Sequence, residues 1–75
     1  MIKEGSLLIS KDNDFKEILL VTGIRTSEVF TGELGYDCMQ IYPVINVYAS
    51  TRWYSEKYTR TSIFNERWVV INETR

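Results

Sequence analysis

Short apolar runs separated by turn-forming residues are the main pattern of the chain. The first two runs cover residues 5–10 and 15–24, and the segment between them reads KDND. Asp and Asn side chains bond to their own backbone and favour chain reversal, so this segment predicts a turn between two strands. Residues 18–21 are four consecutive branched apolar residues, a pattern typical of a strand that is covered on both faces.

The middle of the chain predicts two further strands. Residues 25–28 and 35–37 have the composition of turns, with residues 29–34 as a strand between them. In residues 38–48 the odd positions are apolar and the even positions are polar or aromatic, which predicts a strand with one apolar face. Pro43 has no backbone N–H, so this strand must lie at a sheet edge or break at that point.

The last third of the chain is less regular. Residues 52–60, RWYSEKYTR, form no clean apolar face as a strand, and a hairpin or a helical turn at residues 55–57 fits equally well. Ser62 is a predicted N-cap for one helical turn, and residues 68–71 predict a final buried strand. The aromatic residues in apolar runs are predicted core residues: Phe15, Phe30, Phe64 and Trp68.

These elements predict one all-β domain over residues 1–75. The expected architecture is a small antiparallel barrel or roll of five or six strands, with one short helical turn before the last strand. A domain of 75 residues has a thin core, which a second chain often completes.

The order of these segments resembles a known family. The opening EGSLLIS (residues 4–10), the central EILLVTGI (residues 17–24) and the closing WVVI after a helical turn are similar to Src-homology-3-like small β-barrels. The similarity is greatest to the very small proteins of this type that tailed bacteriophages encode. The resemblance implies the barrel fold and a bacterial host cell as the setting. It implies no single activity, because such barrels bind proteins, bind nucleic acids or build oligomers.

Composition argues against metal binding and catalysis. The chain has no His and a single Cys, so a thiolate or imidazole metal site cannot form and no Ser-His or Cys-His pair exists. Cys38 follows Asp37, whose charge disfavours a thiolate, so we interpret Cys38 as a small core residue. We therefore expect no enzyme, no metal and no cofactor. A single Cys and the lack of a signal peptide or a long apolar segment predict a cytoplasmic protein, in the host cell if a phage encodes it.

Rings and cations outside the predicted core indicate a binding surface. Tyr, Trp and Arg are enriched at the centres of protein–protein interfaces. We therefore predict a non-enzymatic interaction module. The resemblance to phage proteins implies that its partner is a bacterial host protein, which it binds and modulates. The predicted contact residues are Arg52, Trp53, Tyr54, Lys57, Tyr58 and Arg60, together with Tyr42 and Tyr48.

Two alternatives remain open at this stage. Aromatic rings among cations also stack on unpaired bases, so a single-stranded DNA- or RNA-binding barrel is the first alternative. The net charge of −1 weakens it, although residues 52–75 carry five of the nine basic residues and three of the ten acidic ones. The second alternative is a homo-oligomer that holds a small anionic, nucleotide-like ligand between its subunits.

Overall fold

The computed structural model describes residues 2–29, 32–43 and 51–72, which form one antiparallel sheet and two short helices. The strands follow one another in the sheet in the order β4-β3-β2-β1-β5. The elements are β1 (Leu7–Ser10), β2 (Ile18–Thr26), β3 (Leu34–Tyr42), β4 (Thr51–Ser55), α1 (Glu56–Thr59), α2 (Ser62–Arg67) and β5 (Trp68–Ile71).

The all-β class, the antiparallel strands and the helical segment before the last strand are confirmed. The predicted closed barrel is not confirmed: over the described residues the sheet is open, with β4 and β5 as its two edges. The first strand lies between the second and the last, because β1 pairs with both β2 and β5.

The prediction of a strand in residues 29–34 followed by a turn at 35–37 was wrong. Residues 35–37 belong to β3, and the reversal between β2 and β3 comes earlier, where the backbone N–H of Ser27 donates to the carbonyl of Glu33 at 2.9 Å. Gly35 lies inside the strand, paired with Arg25 on one side and Ser55 on the other. Its turn propensity is overridden by this pairing and by Tyr36, whose ring enters the core.

Two helices are present where one helical turn was predicted. The hydroxyl of Ser55 accepts the N–H of Tyr58 at 3.1 Å and begins α1. Thr61, and not Ser62, is the N-cap of α2, because its hydroxyl accepts the N–H of Phe64 at 3.2 Å. Each hydroxyl bonds a backbone N–H that has no carbonyl partner in the first turn of its helix.

Both helices pack on one side of the sheet, which we call the inner face. Phe64 and Trp68 are buried there, as predicted. Phe15 is not: its side chain is 58% exposed, because it lies in the β1–β2 connection beyond the last strand pair, Ile9 with Ile18. Phe30 lies outside the described residues. The buried apolar residues are Leu8, Leu19, Val21, Tyr36, Cys38, Phe64 and Trp68.

Candidate interaction surface

The opposite side of the sheet, the outer face, carries two rows of apolar side chains that run across neighbouring strands. Residues that pair directly across antiparallel strands point to the same face. One row joins Ile71, Leu7, Leu20 and Met39, and the other joins Val69, Ile9 and Ile18. We call these seven residues, with Ile41 and Tyr42, the aliphatic face.

A β-bulge extends the second row into β3. Leu19 pairs with Gln40, but Ile18 pairs with Tyr42, so that two residues of β3 lie opposite one residue of β2. The bulge brings Ile41 and Tyr42 to the end of the row, and the side chain of Tyr42 is 53% exposed. Tyr42, a predicted contact residue, therefore belongs to the outer face.

The aliphatic face is only partly shielded from solvent. Val69 and Ile71 are 42% and 40% exposed, and the other members are exposed or half-buried. Both helices lie on the inner face, where Tyr58 and Phe64 pack against the core. The pattern of residues 18–21 predicted a strand covered on both faces; among the described residues, only its inner face is covered.

The two faces of β3 are the reverse of what their composition suggests. Gln40, on the polar side, is buried, while Ile41, on the apolar side, is exposed. Gln40 can be buried because its polar atoms are bonded: its oxygen accepts from Arg52 Nη2 at 3.2 Å and its Nε2 donates to the carbonyl of Pro43 at 3.2 Å. β3 ends at Tyr42, directly before Pro43, as the proline predicted.

Arg52, a predicted contact residue, is held within the protein. Its Nη2 lies 2.8 Å from Oε2 of Glu17, and its Nη1 donates to the hydroxyl of Tyr54 at 3.4 Å. The hydrogen bond with Glu17 is the main cause that raises the pKa of Arg52 above its usual value. This network connects β4 to the start of β2, so the structure gives Arg52 a positioning role on the inner face.

The rings of Tyr54 and Tyr58 were predicted to be free of the core, but both pack against it. Their centroids are 5.5 Å apart, and Tyr54 also lies 6.4 Å from the ring of Trp68. Tyr58 meets Phe64 edge to face at 5.5 Å. Both tyrosines therefore form the half-buried border of the core. The composition of the chain did not predict that their rings contribute to stability.

Lys57 on α1 and Arg60, the C-cap residue of α1, are both exposed, and Nη2 of Arg60 lies 3.5 Å from Oε1 of Glu56 one turn earlier. Two of the three cations of residues 52–60 are thus paired with carboxylates. Tyr48 lies outside the described residues. Of the predicted contact residues that the structure describes, Tyr42 and Trp53 lie on the outer face and Arg52, Tyr54 and Tyr58 on the inner face, so they do not form one surface.

Trp53 lies on the outer face, at the end away from the aliphatic rows. It pairs with Asp37 and its indole ring covers Gly35, because a Cβ on Gly35 would overlap Cζ2 of Trp53. Beside it, Nε of Arg25 lies 2.8 Å from Oδ2 of Asp37. The outer face therefore has an apolar end and an end with a tryptophan and an ion pair.

The one thiol of the chain is buried on the inner face. Burial, with a smaller contribution from the charge of Asp37, raises the pKa of Cys38 to about 11. The thiol stays protonated at neutral pH, in agreement with the interpretation of Cys38 as a core residue. Burial also raises the pKa of the Tyr36 hydroxyl, with Glu56 as a second cause.

Comparison of the chain with protein-family models, with curated proteins and with solved structures gives no match. Within residues 2–29, 32–43 and 51–72, no helix is long and apolar enough to cross a membrane. In the same ranges, no three Cys, Asp or Glu side chains are grouped as a metal site would require.

Proposed function

We propose that this protein is a non-enzymatic interaction module that binds another protein through the aliphatic face. The observation that carries the proposal is the pair of apolar rows on the side of the sheet that no described helix or strand covers. The face has no charged member, although a quarter of the residues in the chain are charged. A contiguous apolar patch without charged members is typical of the centre of a protein interface.

The chemistry of the surface favours a protein over a nucleic acid. Tracking a phosphate backbone requires a sustained positive groove beside the stacking rings. In residues 52–60, Arg52 and Arg60 face Glu17 and Glu56, and Tyr54 and Tyr58 pack on the core. The aliphatic face offers apolar area without charge, which suits an apolar protein surface.

The proposed partner is a bacterial host protein, and the proposed location is the host cytoplasm. Both follow from the resemblance to the Src-homology-3-like proteins of tailed phages. Three observations support that resemblance: the succession of antiparallel pairs from β1 to β4, the helical segment between β4 and β5, and the return of β5 to pair with β1.

The test is capture of host proteins by matched surface variants. Val69→Lys/Ile71→Lys places two charges on the aliphatic face, while Phe15→Lys/Ile63→Lys places two charges on exposed apolar residues elsewhere. We expect the tagged wild type and the second variant to capture the same protein from a bacterial lysate, as identified by mass spectrometry. The first variant should bind that purified protein at least about tenfold more weakly by calorimetry, a loss of about 1.4 kcal/mol.

Equal binding by both variants would reject the aliphatic face as the contact surface. A second arm uses fluorescence anisotropy with labelled single-stranded oligonucleotides over a salt series. Micromolar binding that weakens steeply with salt would replace the proposal with the nucleic-acid alternative.

A further inference from the structure

We propose that in the free protein the aliphatic face is covered by a second copy of the same chain, in a weak dimer with two-fold symmetry. The inference rests on the proposed function, because it names what occupies the proposed binding surface in the absence of another partner. It commits to packing of one outer face on the other, and not to pairing of the open edges β4 and β5.

The first argument is that three adjacent strands have apolar residues on both faces. β1 places Leu8 inward and Ile9 outward, β2 places Leu19 inward and Leu20 outward, and β5 has Val69 and Ile71 on the outer face. Strands of this composition are typical of sheets with both faces covered. Among residues 2–29, 32–43 and 51–72 the helices cover one face only, and our proposal gives the other face to a second copy.

The second argument is that the face is complementary to itself. A two-fold axis that runs parallel to the strands, between β1 and β2, places β1 opposite β2 of the second copy. The same axis places β5 opposite β3. Because each of these strands contributes apolar residues to both rows, apolar positions meet apolar positions, and none of these positions is charged. Two sheets stacked in this way pack about 10 Å apart with their strands nearly aligned.

The size of the face sets the strength of the dimer. With strands about 4.8 Å apart and a rise of about 3.3 Å per residue, two rows across four strands cover roughly 300 Å² per copy. Stable interfaces bury about 800 Å² per partner, so the dimer should be weak and should depend on concentration. The net charge of −1 adds little repulsion between copies. A weak dimer leaves the face available for exchange with another partner.

The experiment is analytical ultracentrifugation of the full chain from micromolar to millimolar concentration. We expect the mass of the wild type to rise from monomer toward dimer, and that of Phe15→Lys/Ile63→Lys to rise in parallel. Val69→Lys/Ile71→Lys should remain a monomer over the whole range while its circular dichroism matches that of the wild type.

A central variant separates face packing from edge pairing. Leu20→Gln changes the middle of the aliphatic face and leaves the edge strands β4 and β5 unchanged. We expect it to raise the dissociation constant at least about tenfold. A dimer that is retained in Leu20→Gln, or a wild type that stays monomeric at every concentration, overturns the proposal.

The two proposals fail in distinguishable ways. A monomeric wild type whose capture of a host protein still depends on Val69 and Ile71 rejects the dimer and keeps the proposed function. A dimer that Leu20→Gln dissociates, in a protein whose captured partner is unaffected by the face variants, supports the dimer and rejects the proposed function.

Discussion

The two faces of the sheet differ in a way that their composition does not reveal. The inner face includes Gln40, Arg52 and Ser6, yet it is the covered one. The outer face has two uninterrupted apolar rows, yet no described element covers it. What places a residue in the core is the presence of α1 and α2 above it, and polar groups are accepted there when their hydrogen bonds are made.

Two neighbouring leucines in β2 test the difference between the covered inner face and the outer face, and here we expect the largest effect on stability. Leu19 is 0% exposed on the inner face, and Leu20 is half-buried on the outer face. Leu19→Ala should lower the free energy of unfolding by about 2–5 kcal/mol, because it leaves a cavity in the packed core. Leu20→Ala should cost about 1 kcal/mol or less when urea denaturation is followed at protein concentrations where the monomer dominates. Equal losses would show that the outer face is as well covered as the inner one.

The thiol on the inner face should make stability depend on pH in alkaline solution. The pKa of Cys38 is raised from 9.0 to about 11, so the folded protein holds this proton at pH values where the unfolded chain has released it. This difference in pKa contributes fully to the free energy of unfolding below pH 9, where both states hold the proton. The contribution is lost as pH rises toward 11, with a total loss of up to about 3 kcal/mol.

Comparison of the wild type with Cys38→Ala separates the contribution of Cys38 from that of the other groups that titrate in alkaline solution. Denaturation of wild type and Cys38→Ala from pH 8 to pH 11, in the presence of reductant, should give a difference that shrinks as pH rises. A difference that is constant with pH would contradict the burial of the thiol.

Two glycines of the same sheet provide a third comparison. A Cβ on Gly35 would overlap the ring of Trp53 and lie 2.6 Å from the carbonyl oxygen of Tyr54, whereas a Cβ on Gly23 meets only Oδ2 of Asp37 at 3.9 Å. Gly35→Ala should cost about 2 kcal/mol through overpacking and shift the tryptophan fluorescence. Gly23→Ala should leave both thermal stability and fluorescence nearly unchanged. A silent Gly35→Ala would mean that Trp53 does not rest on this strand.

The ion pairs on the two faces give the smallest expected difference. Glu17 and Arg52 are largely shielded, while Arg25 and Asp37 are much more exposed. Glu17→Gln should cost about 1–2 kcal/mol, because it weakens charge-assisted bonds in a partly buried network. Asp37→Asn should cost less than about 1 kcal/mol and less still at high salt, since solvent screens the exposed pair. Thermal unfolding of both variants at low and high salt measures the two costs. A larger cost for Asp37→Asn would mean that the pair of Arg25 with Asp37 contributes more to stability than the pair of Arg52 with Glu17.

Local signals in the sequence were enough for the class of fold. The apolar runs identified β1, β2 and β5, and Phe64 and Trp68 were correctly predicted in the core. The hydroxyl of Ser62 predicted a helical segment before the last strand, although the cap is Thr61. These features depend on residues that are close together in the chain, which is why sequence patterns capture them.

The residues of the candidate surface could not be predicted from local signals, because their positions depend on contacts between residues that are far apart in the sequence. Gly35 looked like a turn residue because the cover supplied by Trp53 comes from another strand. Arg52 looked like a contact residue because its partner, Glu17, precedes it by 35 positions. The apolar runs of β1, β2 and β5 did carry the signal for an outer apolar face, but only the register joins them into rows.

The pairing of β1 with β5 has a consequence for when the chain can fold during translation. Leu8 pairs with Val70, and the side chains that close the core above Leu8 and Leu19 include Phe64 and Trp68. The strands β1 to β4 are therefore synthesised before the residues that cover them. Stable folding must await release of the last strand, and until then the nascent chain has apolar surfaces on both sides that a chaperone would recognise.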